Sequence, residues 1–259
     1  MSSNLPRGFA IVELLAHHPD GLALHAISER LNLPRSAAHR FMAELVSLGY
    51  VRQPHEQGPY KLTLKLVSNA LVYLSGSGIV DLAQPMLDQL AQSSGELVRM
   101  CVVDADGLVW VAKSQGARSG LRYDPDSGAQ VQLFCSANGH AWLANFTDQK
   151  ALELVAKQGF GKPGEFGPTA PATIQELLTC IHTAREQGYA IVHESFEKGT
   201  SAIAAPVRHP GNQQVVACVS IAGPSIRMTP ERMTELAPKL LSTANDLSKV
   251  SGTIKMMTS

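Results

Sequence analysis

The chain has no net formal charge, because its 22 Lys and Arg residues balance 22 Asp and Glu residues. It therefore lacks the overall basic field that would draw a protein to nucleic acid or to an anionic membrane surface. No apolar run reaches the roughly 18 residues of a membrane-spanning helix, and the N-terminal segment contains no signal-peptide apolar region. These absences predict a cytoplasmic protein, with one large domain or two ordinary ones in its 259 residues.

The motifs of common catalytic and metal sites are also missing. The four cysteines show no C-x-x-C spacing, and the nine histidines form no i, i+4 pair within a helical pattern. There is no G-x-S-x-G, H-E-x-x-H, Walker or G-x-G-x-x-G sequence. The sequence therefore predicts neither a metal ion nor a cofactor, and it favours a protein that is not an enzyme. Buried free thiols are the default state for the cysteines.

The nineteen residues from Asn32 to Tyr50 are the most informative segment that is present. One set has the i, i+3, i+4, i+7 spacing of a helix face that packs on a core: Ala38, Phe41, Met42 and Leu45. A second set has the same spacing on the opposite face: Ser36, His39, Arg40 and Ala43. Solvated helix faces usually carry Glu and Lys, whereas this face combines small residues with hydrogen-bonding groups and a cation. A DNA major groove admits one α-helix and offers base-edge acceptors to such groups.

The segments around this helix predict a winged helix-turn-helix domain. Helical patterns over 7–17 and 25–31 precede it, and the turn Asn32-Leu33-Pro34 joins the second pattern to the third. Extended segments over 50–53 and 60–64 follow and predict a hairpin wing. The alternative is a small helical subdomain whose polar face only meets water.

The predicted contacts with double-stranded operator DNA come from the third helix and from the wing: Arg35, Ser36, His39, Arg40, Tyr60 and Lys61. Residues 1–77 hold seven Lys and Arg against five Asp and Glu, an excess of only two positive charges. Because phosphate neutralisation supplies much of the affinity for DNA, a single copy of this domain would bind marginally. The sequence therefore predicts that the protein acts as a homodimer or homotetramer.

The clearest linker in the chain is Ser75-Gly76-Ser77-Gly78. It predicts a DNA-binding domain over 1–63, a linker helix over 64–78 and a larger second domain over 79–259. From Leu97 onward the apolar pattern is typical of strands. Strands are predicted over the following ranges: 97–103, 108–113, 130–134, 188–196, 202–208 and 215–223. Helices between and after these strands predict an α+β fold, in which helices cover an antiparallel sheet.

Six segments together resemble the IclR family of bacterial transcriptional regulators. Three lie in the first domain: Asp20-Gly21-Leu22, Leu31 to Ser36, and Leu48-Gly49-Tyr50-Val51. Three lie in the second domain: Ser136 to Ala141; Gly188-Tyr189-Ala190 leading to Gly199 to Val207; and Val219 to Pro224. The resemblance covers roughly residues 6–250, and it implies a winged helix-turn-helix domain followed by a GAF-like effector-binding domain. One departure is His140, where the family often has Lys.

The resemblance implies that a small organic acid binds in a pocket of the second domain and changes the hold of the first domain on DNA. The implied pocket residues are small or polar: Ala137, Asn138, Gly139, Thr200, Ala202, Ser220 and Ala222. The backbone N–H groups of 137–139, at the start of a helix, are expected to receive the carboxylate. The hydroxyls of Thr200 and Ser220 would add directional hydrogen bonds. The alternative is that these small residues only pack a helix tightly against a sheet.

Three further residues are candidates for the same pocket, each with a structural alternative. Arg122 lies in a glycine- and charge-rich loop, where it could pair with the acid or form a surface ion pair with Asp124 or Asp126. Phe134 could stack on an aromatic effector or pack in the core. His193, near the end of a strand, could lie at the pocket rim or simply on the surface.

The leading hypothesis is thus an effector-responsive DNA-binding regulator that does not bind membranes. Two other functions stay open at this point. One is a small-molecule or redox sensor that acts through protein partners, with Cys135 as the candidate thiol. The other is an enzyme built on a GAF-like body.

Overall fold

The computed structural model describes residues 4–125, 130–162 and 164–254. Backbone contacts divide the chain into two units, one ending at Leu74 and the other beginning at Ser75, hereafter the head and the body. The division falls inside the helix Lys65–Ser77, within the segment that was predicted as a linker helix. Across the described ranges, no helix is both long and apolar enough to cross a membrane.

The head consists of helices and one short hairpin, in chain order α1 (Asn4–Ala16), α2 (Leu24–Arg30), α3 (Arg35–Ser47), β1 (Val51–Arg52), β2 (Lys61–Leu62) and most of α4 (Lys65–Ser77), whose last three residues belong to the body. The apolar sides of α1, α2 and α3 meet in a core that includes Ile11, Ile27, Phe41 and Met42. Ala38, Phe41 and Met42 share one face of α3 and are buried. Their burial leaves the opposite, polar face of α3 exposed, as the sequence predicted.

The wing is the hairpin of β1 and β2, in which Arg52 lies opposite Lys61. Leu22 extends it by one bridge, because Leu22 and Tyr60 exchange backbone hydrogen bonds of 3.0 and 2.8 Å. This pairing places Tyr60 in the head core, with 9% of its surface exposed. The ring of Tyr60 therefore has a packing role in the head, and its contact with the DNA backbone stays a prediction. Successive strand residues point to opposite sides, so the half-buried Lys61 keeps the accessible position.

The body combines helices with one five-stranded sheet. Its elements are α5 (Ile79–Leu82), α6 (Gln84–Ser94), β3 (Leu97–Asp104), β4 (Gly107–Gln115), α7 (Ala137–Leu143), α8 (Asp148–Gln158), α9 (Ile174–Gln187), β5 (Ala190–His193), β6 (Thr200–Arg208), β7 (Val215–Pro224) and α10 (Pro230–Ser251). The strands run antiparallel in the order β4-β3-β7-β6-β5. The predicted α+β fold class is confirmed.

The predicted strand over 130–134 is wrong. Gln130 forms a single bridge to Val109, the N–H of Val131 donates to the carbonyl of Leu108 at 3.0 Å, and residues 133–135 form a turn. The side chain of Gln158 takes the place of a neighbouring strand. Its amide nitrogen donates to the carbonyl of Val131 at 2.9 Å, and its oxygen accepts from the N–H of Leu133 at 2.7 Å. The side chain thus satisfies backbone groups of this apolar segment that would otherwise need the hydrogen bonds of a neighbouring strand.

Each face of the sheet has its own apolar core. Helices α6 and α10 cover one face, where Met100 of β3 and Val219 of β7 are buried. Helices α7 and α9 cover the other face, where Cys101 and Cys218 lie opposite each other in adjacent strands. The central strand β7 is buried along its whole length, since helices cover both of its faces. The N-terminal end of α7 therefore stands over β6 and β7, and the candidate site of the body lies there.

Candidate functional site

The exposed face of α3 carries the four predicted DNA-contacting residues of the helix: Arg35, Ser36, His39 and Arg40. Among the described residues, none of their side chains makes a hydrogen bond or an ion pair inside the protein. The guanidinium of Arg40 lies 5.5 Å from the ring centroid of Phe41, within the range of a cation–π contact. This contact leaves the guanidinium N–H groups available for an external acceptor. The helix thus presents several donors that the fold does not use.

The wing contributes a cation that was not predicted from the sequence. Arg52 is exposed and lies directly opposite Lys61 across the hairpin. Like charges in opposite positions of a ladder are destabilising unless an external anion screens them. The pairing could have been found by aligning the two predicted strands about their turn. The two cations make the wing a second site where phosphate would be favourable.

A cavity of about 170 Å³ lies in the body, beside the start of α7. It is bounded by all five strands of the sheet and by parts of the segments 123–125 and 130–132. Six residues that were predicted for the effector pocket line it: Ala137, Asn138, Thr200, Ala202, Ser220 and Ala222. The amide nitrogen of Asn138 lies 3.3 Å from the sulfur of Cys101, and the hydroxyl of Ser220 donates to the carbonyl of Arg99 at 3.4 Å.

Gly139 and Phe134 do not line this cavity, contrary to the prediction. The N–H of Gly139 donates to the hydroxyl of Ser136, which caps α7, at 3.0 Å. A Cβ on Gly139 would lie 2.2 Å from the carbonyl oxygen of Leu133, so this glycine allows close packing of α7 on the preceding turn. Phe134 is buried in an aromatic cluster, 5.1 Å from the ring centroid of Phe166. For these two residues the packing alternative is the better interpretation.

Arg122 and His193 also lie outside the cavity lining. Arg122 is exposed and its guanidinium is 3.9 Å from the carboxylate of Asp124, as the surface alternative predicted. The other suggested partner, Asp126, lies outside the described residues. The Nδ1 atom of His193 is 2.9 Å from the hydroxyl of Ser201, and Ser201 does line the cavity. His193 therefore reaches the cavity through a second residue.

Four large side chains of the cavity wall were not predicted from the sequence: Arg99, Trp110, Tyr123 and Phe196. Only 7% of the surface of Arg99 is exposed, and its guanidinium carbon lies 3.5 Å from the ring centroid of Trp110. Burial raises the pKa of Tyr123 to about 12, so its hydroxyl stays protonated at neutral pH. The sequence offered one signal for Arg99 as a site residue, namely a cation within the apolar stretch of β3, because strands buried on both faces rarely contain arginine.

The cysteines offer little support for a redox function. Burial raises the pKa of Cys135, the candidate thiol, to about 12. Burial also raises the pKa of Cys218 well above its usual range. Because the thiolate is the reactive form, such thiols react slowly at neutral pH.

Two family models match the chain. The IclR helix-turn-helix domain matches residues 5–55, and the C-terminal domain of the bacterial transcriptional regulator IclR matches residues 71–249. The Pca regulon regulatory protein of Pseudomonas putida is 25% identical over 249 residues, covering 95% of this chain and 82% of that protein. The transcriptional repressor AllR of Escherichia coli K12 is 27% identical over 248 residues, covering 96% of this chain and 90% of that protein.

Solved structures share the whole fold. A regulator from Rhodococcus sp. RHA1 is 26% identical, with a TM-score of 0.79 over 95% of this chain and 96% of that chain. An IclR homologue of Microbacterium hydrocarbonoxydans, crystallised with 4-hydroxybenzoate, is 22% identical, with a TM-score of 0.73 over 95% of this chain and 100% of that chain. The C-terminal family model alone spans more than half of the sequence. The chain therefore belongs to the IclR family of bacterial transcriptional regulators.

Proposed function

We propose that α3 of the head reads operator DNA and that a small organic acid in the body cavity changes the affinity for that DNA. The observation that carries this proposal is the cavity of about 170 Å³ in the body of a chain whose head exposes an unengaged polar helix face. A chain that only bound DNA would need no internal cavity with polar and aromatic walls. Such concave sites, with a few placed polar groups, are typical of small-molecule binding.

The DNA contacts are proposed on two elements with different roles. Arg40, His39 and Ser36 on α3 would contact base edges in the major groove, where an arginine can donate two hydrogen bonds to guanine. Arg52 and Lys61 on the wing would contact phosphates, which hold the protein on the duplex but carry no direct sequence information. Tyr60 is a weaker candidate, because its ring packs in the head core.

A carboxylate effector is supported by the polar groups of the cavity and by one relative. The hydroxyls of Thr200, Ser201 and Ser220 and the amide of Asn138 lie on its walls. The Microbacterium homologue was crystallised with 4-hydroxybenzoate, a small aromatic carboxylate. A bound acid would alter DNA affinity only by binding two states of the protein with different strength.

Self-association is proposed from the weak charge of the head and from the surface of α4. Several large apolar side chains of this helix are exposed: Leu66, Val67, Leu71, Val72 and Tyr73. Five exposed large apolar side chains within the eight residues 66–73 are more than isolated exposure, and exposed apolar surface is typical of a protein–protein contact. Two heads on two half-sites would compensate for the small excess of positive charge in each head.

The experiment is a titration of a fluorescent duplex, carrying the promoter region of the protein's own gene, followed by anisotropy. It is repeated with each small carboxylate that raises the melting temperature of the protein, since a ligand of the native state stabilises it. We expect tight binding of this duplex over a scrambled one and a change of the Kd in the presence of a stabilising acid. Equal affinity for both duplexes, or a Kd that no stabilising acid alters, would contradict the proposal.

A further inference from the structure

Arg99 is a buried cation on the wall of the body cavity. It belongs to β3, whose residues 97–102 are all buried, and its side chain is 7% exposed. Its guanidinium lies against the ring of Trp110 in the neighbouring strand, at 3.5 Å from the ring centroid. A guanidinium stays protonated in proteins, so this residue brings a full positive charge to the cavity. Burial of a charge is costly unless an opposite charge or several hydrogen bonds compensate for it.

The described part of the protein provides no such compensation. Within residues 4–125, 130–162 and 164–254, the guanidinium of Arg99 makes no hydrogen bond and no ion pair, and it lies against the ring of Trp110. Asp124 interacts with it only at longer range and is already bonded to Lys113 at 2.9 Å. Burial lowers the pKa of Arg99, which is the direction expected for a cation without a close counter-ion.

A second arginine of the body shows what a compensated pair looks like in the same protein. The guanidinium of Arg227 donates to both carboxylate oxygens of the buried Glu96, at 2.5 and 2.8 Å. This fork is the geometry in which arginine holds a carboxylate most strongly. Arg99 has the same planar group of donors next to an open cavity, and no described residue occupies it.

The size and the walls of the cavity restrict what the guanidinium can hold. A cavity of about 150 Å³ can accommodate one benzene ring, and this one measures about 170 Å³. Apolar side chains form part of its walls, among them Val131, Val192 and Phe196. The neutral hydroxyl of Tyr123 also lies on the wall and can donate one hydrogen bond.

We propose that Arg99, held against Trp110, binds the carboxylate of the effector, and that the effector is a monocarboxylate with an apolar body of about one six-membered ring. This inference rests on the proposed function of the cavity as the effector site, and it assigns the anion-binding role to Arg99. The N–H groups at the start of α7 are a weaker choice, because Ser136 already engages that of Gly139. Arg99 then determines specificity, since a neutral ligand of the same shape would leave its charge buried and unpaired.

The test uses the full-length protein without DNA, with benzoate and its neutral isostere benzamide as probes, by calorimetry and thermal shift. We expect the wild type to prefer benzoate by at least about tenfold, and the Arg99→Met variant to lose this preference. Arg99→Lys keeps the positive charge without the planar fork, so this variant should retain part of the preference for benzoate. The matched control is Arg122→Met, which removes an exposed arginine outside the cavity lining and should bind like the wild type.

The unliganded stability gives a second readout. If the charge of Arg99 is uncompensated, Arg99→Met should melt at the same temperature as the wild type or higher, because removing such a charge is neutral or stabilising. A lower melting temperature would mean that Arg99 has an internal partner, and it would overturn the proposal. Equal binding of benzoate and benzamide by the wild type, or no binding of benzoate at millimolar concentration, would overturn it as well.

The two proposals fail in different ways. If benzoate binds through Arg99 but leaves the affinity for the promoter duplex unchanged, the role of Arg99 holds and the coupling to DNA fails. If an acid changes the affinity for DNA equally in the wild type and in Arg99→Met, the coupling holds and the role of Arg99 fails.

Discussion

A Cβ atom on Gly21 would lie 2.5 Å from the carbonyl oxygen of Tyr60. Gly21 has a φ of +84°, which places it in the left-handed region, and the next residue, Leu22, exchanges two backbone hydrogen bonds with Tyr60. The turn before α2 and the base of the wing are therefore joined at a point where only glycine fits. The position of the wing in the head depends on this contact.

Replacement of Gly21 by alanine should lower the free energy of unfolding of the head by about 2–3 kcal/mol, from backbone strain and the clash with Tyr60. The matched control is Gly8→Ala in α1, where φ is not positive and no atom lies within 4 Å of the added Cβ. That change should stabilise the protein by up to about 1 kcal/mol, because alanine is the better helix former. Urea unfolding of both variants measures the difference, and similar effects of the two substitutions would contradict the role of Gly21.

Replacement of Arg40 by alanine should weaken binding to the promoter duplex by about 1–3 kcal/mol, the usual contribution of a good base contact. Arg40 is exposed and makes no ion pair with any described residue, so the fold should be unaffected. Binding to a scrambled duplex should change much less. Anisotropy titrations with both duplexes measure the two losses, and an equal loss on both would show that Arg40 contacts phosphate instead.

Replacement of Arg52 by alanine should weaken binding to the promoter duplex and to the scrambled duplex alike, unlike the replacement of Arg40. Because a wing cation would contact the phosphate backbone, affinity should fall by a similar factor on promoter and scrambled duplexes. The slope of log affinity against log salt concentration should become shallower by about 0.9. Removal of one of two opposed cations should leave the unliganded head as stable as before or slightly more stable. An unchanged salt slope would exclude Arg52 from the DNA contact.

His140 should make the stability of the body depend on pH. It is buried in α7, its Nε2 atom lies 2.7 Å from the carbonyl oxygen of Phe134, and burial lowers its pKa below the usual 6.5. The unfolded state therefore binds more protons than the native state just below pH 6.5. The contribution of His140 to the free energy of unfolding is thus fully present above that pH and is lost as the pH decreases. The loss from this group can reach about 1.4 kcal/mol per pH unit.

The His140→Gln variant cannot titrate at this position, and it should remove this part of the pH dependence. Urea unfolding between pH 7 and 5 compares the slopes, so a general destabilisation by the variant does not matter. Carboxylates such as Asp148, whose pKa is lowered by hydrogen bonds from His182 and Arg185, lose their charge only at more acidic pH. Identical slopes in the two proteins would exclude His140 as the source.

The elements that could be predicted from the sequence are those fixed by local periodicity. The two faces of α3 follow from the spacing of Ala38, Phe41 and Met42 around one helix, and the structure buries these residues. The antiparallel strands of the body follow from their apolar pattern in the same way. Local periodicity does not show which distant segment a residue packs against. The pattern of the wing therefore did not reveal that Tyr60 is bonded to the backbone of Leu22 in the head.

The cavity was predicted only in part, for a related reason. Small residues such as Ala202 and Ala222 indicated where a ligand could approach the sheet, and they do line the cavity. Arg99 was missed because its role depends on Trp110 in the paired strand and on the absence of a described carboxylate within reach. Gly139 was assigned to the ligand from the family resemblance and from its N–H at a helix start, whereas the structure packs this glycine against the backbone of Leu133.

The central claim is that one ligand in the body and DNA at the head influence each other in the same chain. It is tested most directly by calorimetric titration of benzoate into the free protein and into its complex with the promoter duplex. Linkage requires that the two benzoate Kd values differ by the same factor by which benzoate changes the Kd for DNA. A factor above about five would support the coupling, and its direction would show whether the acid releases or strengthens DNA binding. Identical benzoate Kd values for the free protein and the complex would contradict the claim.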